Sequence, residues 1–124
     1  MDQIVSIRGA ITVKENSIVE IKSATKELLN EIFKLNNLEE AKIINLLFTV
    51  TKDLTVINPA TIARQELKLD TLPMLCVQEM EVINGLTKCI RVMIQTYISL
   101  PKDKIKHVYL EGASTLRPDL NYEI

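Results

Sequence analysis

The residues of this sequence that are best suited to chemistry are its arginines. The chain has only four, Arg8, Arg64, Arg91 and Arg117, beside 11 lysines. Arg91 lies in the apolar stretch KCIRVMIQTYI, residues 88–98, where a permanently charged guanidinium is costly to bury without a negative partner. Arginine recognises carboxylates through a planar fork that lysine lacks. These positions therefore indicate either a site for a small polyanion or a set of internal ion pairs.

Other polar residues fall where they could share a site with Arg91. Because side chains alternate along a strand, residues 89, 91, 93 and 95 share one face, as do residues 107, 109 and 111 further along the chain. Cys76 and Glu79 lie in the preceding segment CVQEMEV. Arginines, a tyrosine hydroxyl, a carboxylate and a thiol together would bind a small polyanion. The alternative for Arg91 is an internal salt bridge to Glu79 or Glu111.

The sequence has no motif for an activated nucleophile or for a bound cofactor. It contains no serine–histidine–aspartate order of the hydrolase kind, no phosphate-binding loop and no GxGxxG fingerprint. Cys76 and Cys89 form no CxxC pair, and His107 is the only histidine, so no metal-ligand set is evident. We therefore expect no cofactor and no metal, and chemistry that depends on electrostatics and orientation.

Length and composition limit the classes of function. The 124 residues can bury one core, which predicts a single domain over 1–124. A formal net charge of −1 argues against a nucleic-acid binder with a basic face and against a binder of anionic membranes. No apolar run is long enough to cross a bilayer, and the N-terminus lacks the order of regions found in a signal peptide. The sequence therefore predicts a cytoplasmic protein that binds neither nucleic acid nor membrane.

Hydrophobic periodicity predicts the elements that would position these residues. Strands are expected at 3–13, 42–51, 72–80, 87–100 and 105–113, a long helix at 16–37 and a short helix at 58–67. Ser17 and Glu20 have the spacing of a capping box, and apolar residues from Ile18 to Leu35 recur every three or four positions. The order β-α-β-α-β-β-β predicts an α+β fold, with a mixed five-stranded sheet and the long helix packed on one face.

Four segments resemble a known enzyme family. SIRGAITV, CVQEMEVINGLTKCIRVMI, PKDKIKHVYL and LRPDL occur in the order and at the spacing of the monofunctional chorismate mutases of the trimeric AroH type, from Ile7 to Leu120. The resemblance implies a homotrimer in which the sheets of three subunits form a pseudo-β-barrel with sites in clefts between subunits. It also implies the conversion of chorismate to prephenate, toward phenylalanine and tyrosine, by a Claisen rearrangement that needs no cofactor.

The resemblance also implies a role for each candidate residue. Arg91 would meet the ether oxygen on which negative charge grows, Glu79 would accept a hydrogen bond from the ring hydroxyl, and Arg8 would pair with a carboxylate, so these three are the catalytic candidates. The further substrate-binding candidates are Cys76 beside Glu79, Tyr109 as a donor near Arg8, Arg64 at the cleft mouth, and Leu116 and Arg117 in a closing C-terminal segment.

The electrostatic interpretation makes a strict demand on Arg91. It requires that no acid of the same chain occupies the guanidinium and that the side chain points into a cleft between subunits. Two positions also depart from the family pattern, since Asn58 replaces a common aromatic residue and Leu75 replaces an expected threonine. Without the resemblance, three classes stay open: an isomerase or lyase acting on a small dicarboxylate, a non-catalytic trimeric metabolite-binding module, and a small trimeric enamine/imine deaminase.

Overall fold

The computed structural model describes residues 2–116, which form five strands and two α-helices. The strands are β1 (Gln3–Thr12), β2 (Ile43–Val50), β3 (Met74–Gln78), β4 (Cys89–Ile98) and β5 (Val108–Leu110), and the helices are α1 (Ile18–Asn36) and α2 (Pro59–Glu66). Short 3-10 turns occupy 40–42, 102–104 and 111–115. The order β1-α1-β2-α2-β3-β4-β5 confirms the one predicted from periodicity.

The five strands form one mixed sheet in the order β3-β2-β4-β1-β5. β4 pairs antiparallel with both β1 and β2, while the outer strands β5 and β3 pair parallel with β1 and β2. This confirms the predicted α+β class. Residues 42–51 are apolar on both faces, which predicts an interior strand, and β2 indeed lies between β3 and β4.

The long helix α1 begins and ends where the sequence indicates. The Ser17 hydroxyl accepts a hydrogen bond from the Glu20 backbone N–H at 3.1 Å, and Asn37 ends the helix in the left-handed conformation with φ of 50°. Only this half of the capping box forms, because the Ser17 N–H donates to the carbonyl of Glu15. Ile18 was expected in the buried stripe, but it is exposed because it occupies the first helical position.

The sheet has a covered face and an open face. α1 packs over one side, where Ile7, Ile90, Ile94 and Phe48 are fully buried with Leu28 and Ile32 of the helix. Side chains of β4 alternate strictly, so Ile90, Val92 and Ile94 enter this core while Arg91, Met93 and Gln95 project from the other side. Met93 and Gln95, which lie two and four positions after Arg91 along β4, therefore share the open face with it.

The predicted last strand, 105–113, is much shorter than expected. Only Val108–Leu110 pairs with β1, and the chain then turns into the 3-10 segment at 111–115. Glu111 has a φ of 53°, in the left-handed region, so it cannot continue a strand. No helix among residues 2–116 is both long and apolar enough to cross a membrane.

Candidate active site

Strand pairing places Arg91 at the centre of the open face. Arg91 lies opposite Thr49 of β2 and opposite Ala10 of β1, so strands flank it on both sides. Its neighbours along β4, Ile90 and Val92, are buried on the helix side. The guanidinium is therefore carried by a strand that the core fixes on its opposite face, as preorganised electrostatics requires.

Arg91 forms a two-point ion pair with Glu79. Its Nε donates to Glu79 Oε1 at 3.1 Å and its Nη2 donates to Oε2 at 3.3 Å. Thr49, on the strand between them, lies within a long hydrogen bond of Glu79, with 3.4 Å between Oγ1 and Oε1. The backbone N–H of Glu79 donates to the Val50 carbonyl at 2.9 Å, which fixes the residue just beyond the end of β3.

The sequence interpretation required that no acid of the same chain occupy the Arg91 guanidinium, and this requirement is not met. The guanidinium is bound to an acid of its own chain, so the internal salt bridge that was the alternative is present. The pair uses two of the five N–H groups of the guanidinium, however, and leaves the others for a further acceptor. The Arg91 side chain is 41 % exposed and that of Glu79 17 %, so the pair lies at a surface that a ligand can reach.

A cavity of about 210 Å³ brings Arg91 together with two other candidates. Arg8 and Tyr109 line it, along with Thr49 and Met93. Tyr109 lies opposite Ala10 in the pairing of β5 with β1, and it is 8 % exposed. The Arg8 backbone N–H donates to Nδ1 of His107 at 3.0 Å, which ties the segment before β5 to the strand that carries Arg8. Two guanidinium groups and one phenol therefore face one space, a suitable arrangement for a ligand with negatively charged groups.

A second cavity, of about 250 Å³, lies on the Glu79 side of the same ion pair. Its wall is the loop from Glu79 to Thr87, and the segment just after β2, residues 51–53, closes it. The pair Asn84–Gly85 is typical of a turn and forms one in this loop, since Gly85 N–H donates to the Val82 carbonyl and Asn84 has a φ of 64°. Arg91 therefore lines both cavities, whereas Glu79 lines only this second one.

Among the described residues, the remaining candidates do not line the cavity that contains Arg8, Arg91 and Tyr109. Leu116 packs on a small buried cluster with Tyr109 and Cys89 beside the cavity. Cys76 lies opposite Phe48 and packs against the main core, so its thiol faces away from Arg91 and only its backbone is left for the candidate site. Arg64 is exposed on α2, which packs against α1 on the covered side. Arg117 lies outside the described residues.

Neither cysteine has the electrostatics of a nucleophile. Burial raises the pKa of Cys89 from its ordinary value near 9.0 to about 11, and the nearby Arg91 guanidinium offsets only part of that rise. Burial also raises the pKa of Cys76. Both thiols are therefore protonated at neutral pH. Among residues 2–116, no group of three or more His, Cys, Asp or Glu side chains is placed to hold a metal ion.

Sequence reasoning missed Thr49 and the segment that follows it. Thr49 lies between Glu79 and Arg91, and Thr51 and Asp53 line the second cavity. The apolar pattern of residues 42–51 identified a strand, but it contained no indication of which polar residue would lie opposite Arg91. Only the register of β2 against β4 supplies that information.

Comparison with known proteins gives one consistent result. The sequence model of the family described as chorismate mutase type I matches residues 4–120. The chain is 42 % identical over 115 residues to chorismate mutase AroH of Bacillus subtilis (strain 168), across 93 % of this chain and 91 % of that protein. It is 41 % identical over 115 residues to chorismate mutase AroH of Thermus thermophilus, across 92 % of this chain and 93 % of that protein. The structure superimposes on a chorismate mutase from Clostridium thermocellum with a TM-score of 0.86 and 44 % identity, covering 90 % of this chain and 98 % of that chain.

Proposed function

The chain belongs to the chorismate mutase type I family, and from that premise we propose that the cavity between Arg8, Arg91 and Tyr109 is where chorismate is converted to prephenate. The enzyme is an isomerase, because the product is a rearranged form of the same molecule. The single observation that carries the placement is the arrangement of Arg8, Arg91 and Tyr109 around one cavity on the open face.

Arg91 supplies the charge that the reaction needs. As the ether C–O bond breaks and a C–C bond forms, negative charge grows on the ether oxygen. A cation already in place stabilises that charge more strongly than it stabilises the ground state, and this difference accelerates the reaction. Glu79 holds the Nε edge of the guanidinium at 3.1 Å, which turns the other edge toward the ligand. In this proposal Glu79 positions Arg91, and the family resemblance gives it a second role, to accept a hydrogen bond from the ring hydroxyl.

The other candidates orient the substrate. Arg8 binds a substrate carboxylate, and the Tyr109 hydroxyl donates to the same end of the ligand. Holding chorismate in the compact conformer from which the two carbons can join removes much of the entropic barrier. No group has to gain or lose a proton. The step leads toward phenylalanine and tyrosine, and we place it in the cytoplasm, as the sequence predicts.

We further infer that the functional unit is a homotrimer with sites at the subunit interfaces. The open face carries a set of exposed apolar side chains, which are Ile4, Leu47, Leu75, Val77, Met93 and Tyr97. A patch of this kind on a sheet face is typical of a buried subunit contact. Arg64 is exposed and does not line the cavity of its own chain, so we infer that in a trimer it contributes to the site of a neighbouring subunit. That the assembly contains three subunits is taken from the family resemblance.

The experiment that tests this function measures the conversion of chorismate by the purified protein. We expect saturable formation of prephenate, and an Arg91→Met variant that stays folded and loses at least about 100-fold in kcat. Lys102→Met is the matched control, because Lys102 is an exposed cation in the turn after β4. Chorismate that binds without conversion would overturn the proposal in favour of a metabolite-binding module. Full activity in Arg91→Met would exclude the mechanism.

A further inference from the structure

The backbone just before Arg91 is held in an unfavourable conformation. Lys88 has a φ of 49°, in the left-handed region that a residue with a long side chain rarely adopts. Cys89, the next residue, begins β4, and Arg91 follows two positions later. The direction in which β4 enters the sheet therefore depends on a strained residue that other groups must hold.

Asp53 restrains the amide of Lys88, while the Lys88 carbonyl accepts the Val13 N–H at 2.9 Å. Both carboxylate oxygens of Asp53 accept the Lys88 backbone N–H, at 3.1 Å for Oδ1 and 3.0 Å for Oδ2. The Thr51 hydroxyl donates to Asp53 Oδ1 and accepts the Cys89 N–H at 2.9 Å. Hydrogen bonds to a carboxylate are stronger than those between neutral groups. Asp53 therefore fixes the peptide on each side of Lys88, one directly and the other through Thr51.

The same short segment also holds the acid that pairs with Arg91. Glu79 N–H donates to the carbonyl of Val50, three residues before Asp53. Lys52, the residue before Asp53, forms an ion pair of 2.8 Å with Glu81, two residues beyond Glu79. Residues 50–53 thus connect the backbone that carries Glu79 to the backbone that carries Arg91. Asp53 itself lines the cavity on the Glu79 side of the ion pair.

We propose that Asp53 is a positioning residue for Arg91. Its carboxylate keeps Lys88 in the left-handed conformation and thereby fixes the direction of the guanidinium against Glu79 and the ligand. The inference deepens the proposed function and rests on it. Asp53 makes no contact with the substrate in this scheme. Its effect on the rate is indirect, because a small displacement of a group that acts on the transition state costs far more in rate than in ligand affinity.

The test replaces Asp53 with asparagine, which has nearly the same shape but lacks the second anionic oxygen. We expect kcat for chorismate to fall about 10- to 100-fold while KM changes less than about threefold. We also expect the Lys88 amide to lose its protection in hydrogen exchange, a readout that needs no activity. The matched control is Asp103→Asn, in the exposed turn after the far end of β4, which makes the same change of charge and should leave kcat unchanged.

A second substitution tests whether the effect passes through Lys88. Glycine adopts positive φ without strain, so Lys88→Gly removes the need for the restraint. The double variant Asp53→Asn/Lys88→Gly should then have the kcat of Lys88→Gly alone. This comparison also remains decisive if Asp53→Asn by itself does not fold. A folded double variant whose kcat is about 10-fold or more below that of Lys88→Gly would overturn the proposal.

A third comparison asks whether the effect passes through Arg91. In an Arg91→Lys background, Asp53→Asn should cost much less in kcat/KM than it costs in the wild type, because the group that it positions is gone. Equal costs in the two backgrounds would overturn the positioning role. If the wild-type protein does not convert chorismate at all, the proposed function fails, whereas loss of Lys88 protection would still establish the structural link. The two failures are therefore distinguishable.

Discussion

A fixed cation beside a carboxylate of the same chain is the central chemical feature at the scale of single residues. An arginine whose charge is fully neutralised by an acid would stabilise negative charge on a ligand only weakly. An arginine without any restraint would have to be ordered during the reaction. The Arg91–Glu79 pair lies between these limits, because Glu79 binds one edge of the guanidinium at 3.1 and 3.3 Å. The remaining N–H groups keep their orientation without a further entropic cost at the moment of reaction.

The shape of the guanidinium matters as much as its charge. Arg91→Lys keeps the positive charge but has one nitrogen, which cannot bind Glu79 and a substrate oxygen along two different edges. We expect kcat to fall by about two to three orders of magnitude, measured as prephenate formation at saturating chorismate. The thermal midpoint should change little, because a half-exposed ion pair contributes little to stability. A lysine variant with wild-type kcat would show that the planar fork is not required.

The rate should be nearly independent of pH around neutrality. Arginine stays protonated, and Cys89, with its pKa raised to about 11 by burial, does not ionise in this range. We therefore expect kcat to vary less than about twofold between about pH 6 and 8. Measurement of kcat across this range in buffers of constant ionic strength checks the expectation. A steep step near pH 6.5 would instead implicate His107, whose Nδ1 accepts the Arg8 backbone N–H.

The buried thiol of Cys89 makes stability depend on pH in the alkaline range. Its pKa is about 11 in the folded protein and near 9.0 when exposed, so above pH 9 the unfolded chain loses the proton first. The free energy of unfolding should therefore decrease as pH rises from 9 toward 11, by at most about 1.4 kcal/mol per pH unit. Urea denaturation of the wild type and of Cys89→Ala isolates this contribution. Parallel pH dependence in the two proteins would contradict it.

At the scale of elements, the short helix α2 shows what replaces an aromatic residue common in the family. Asn58 is its N-cap, and the side-chain Oδ1 accepts the Ala60 N–H at 2.8 Å, with Pro59 in the first turn. An aromatic side chain could extend an apolar wall but could not cap the helix. In this chain the residue at this position therefore fixes the first turn of the helix that carries Arg64.

The cap predicts different effects on stability for two substitutions of Asn58. Asn58→Ala should lower the free energy of unfolding by about 1 kcal/mol, because the first turn of α2 loses its side-chain acceptor. Asn58→Asp keeps an acceptor and should stay within about 0.5 kcal/mol of the wild type, which makes it the matched control. Chemical denaturation checks both. Equal loss in the two variants would mean that the cap does not stabilise the protein.

Periodicity predicted the elements of this fold well because each depends on local patterns. The capping signal at Ser17, the αL residue Asn37 and the alternation along β4 are all readable from neighbouring residues. The end of β5 was not, because an apolar run does not reveal the left-handed Glu111 that stops the strand. The family resemblance supplied the site residues, but it did not predict that Arg91 would pair with Glu79 of its own chain.

The hydrogen bonds between Asp53 and Lys88 could not be predicted from the sequence, for a related reason. Asp53 and Lys88 are 35 positions apart, and only the register between β2 and β4 brings them together. The side to which the Cys76 thiol points likewise depends on the register of β3 against β2, which places it opposite Phe48. Contacts of this kind depend on the pairing register of the strands, because a shift of one residue would turn each side chain to the opposite face of the sheet.

At the scale of the whole molecule, the unequal faces of the sheet are the dominant feature. One face is covered by α1, while the other exposes Leu47, Leu75, Val77 and Met93 beside the Arg91 cavity. A single copy would leave this patch in water at a cost of about 25 cal/mol for each Å² of apolar surface. Association of several copies over the open face would bury the patch and, in the same step, deepen the cavity that contains Arg91.

Association of the chains can be tested by introducing an aspartate on the open face of the sheet and, as a control, another on the helix that covers the opposite face. Leu75 is 68 % exposed on the open face, and Val19 is 75 % exposed at the start of α1. Leu75→Asp should shift the mass in solution from a trimer to a monomer and lower kcat/KM for chorismate by about 10-fold or more, because a buried interface does not tolerate an unpaired charge. Val19→Asp makes the same chemical change at an equally exposed site and should leave both unchanged. Light scattering and the chorismate assay measure the two effects, and a fully active monomer of Leu75→Asp would show that each site is complete within one chain.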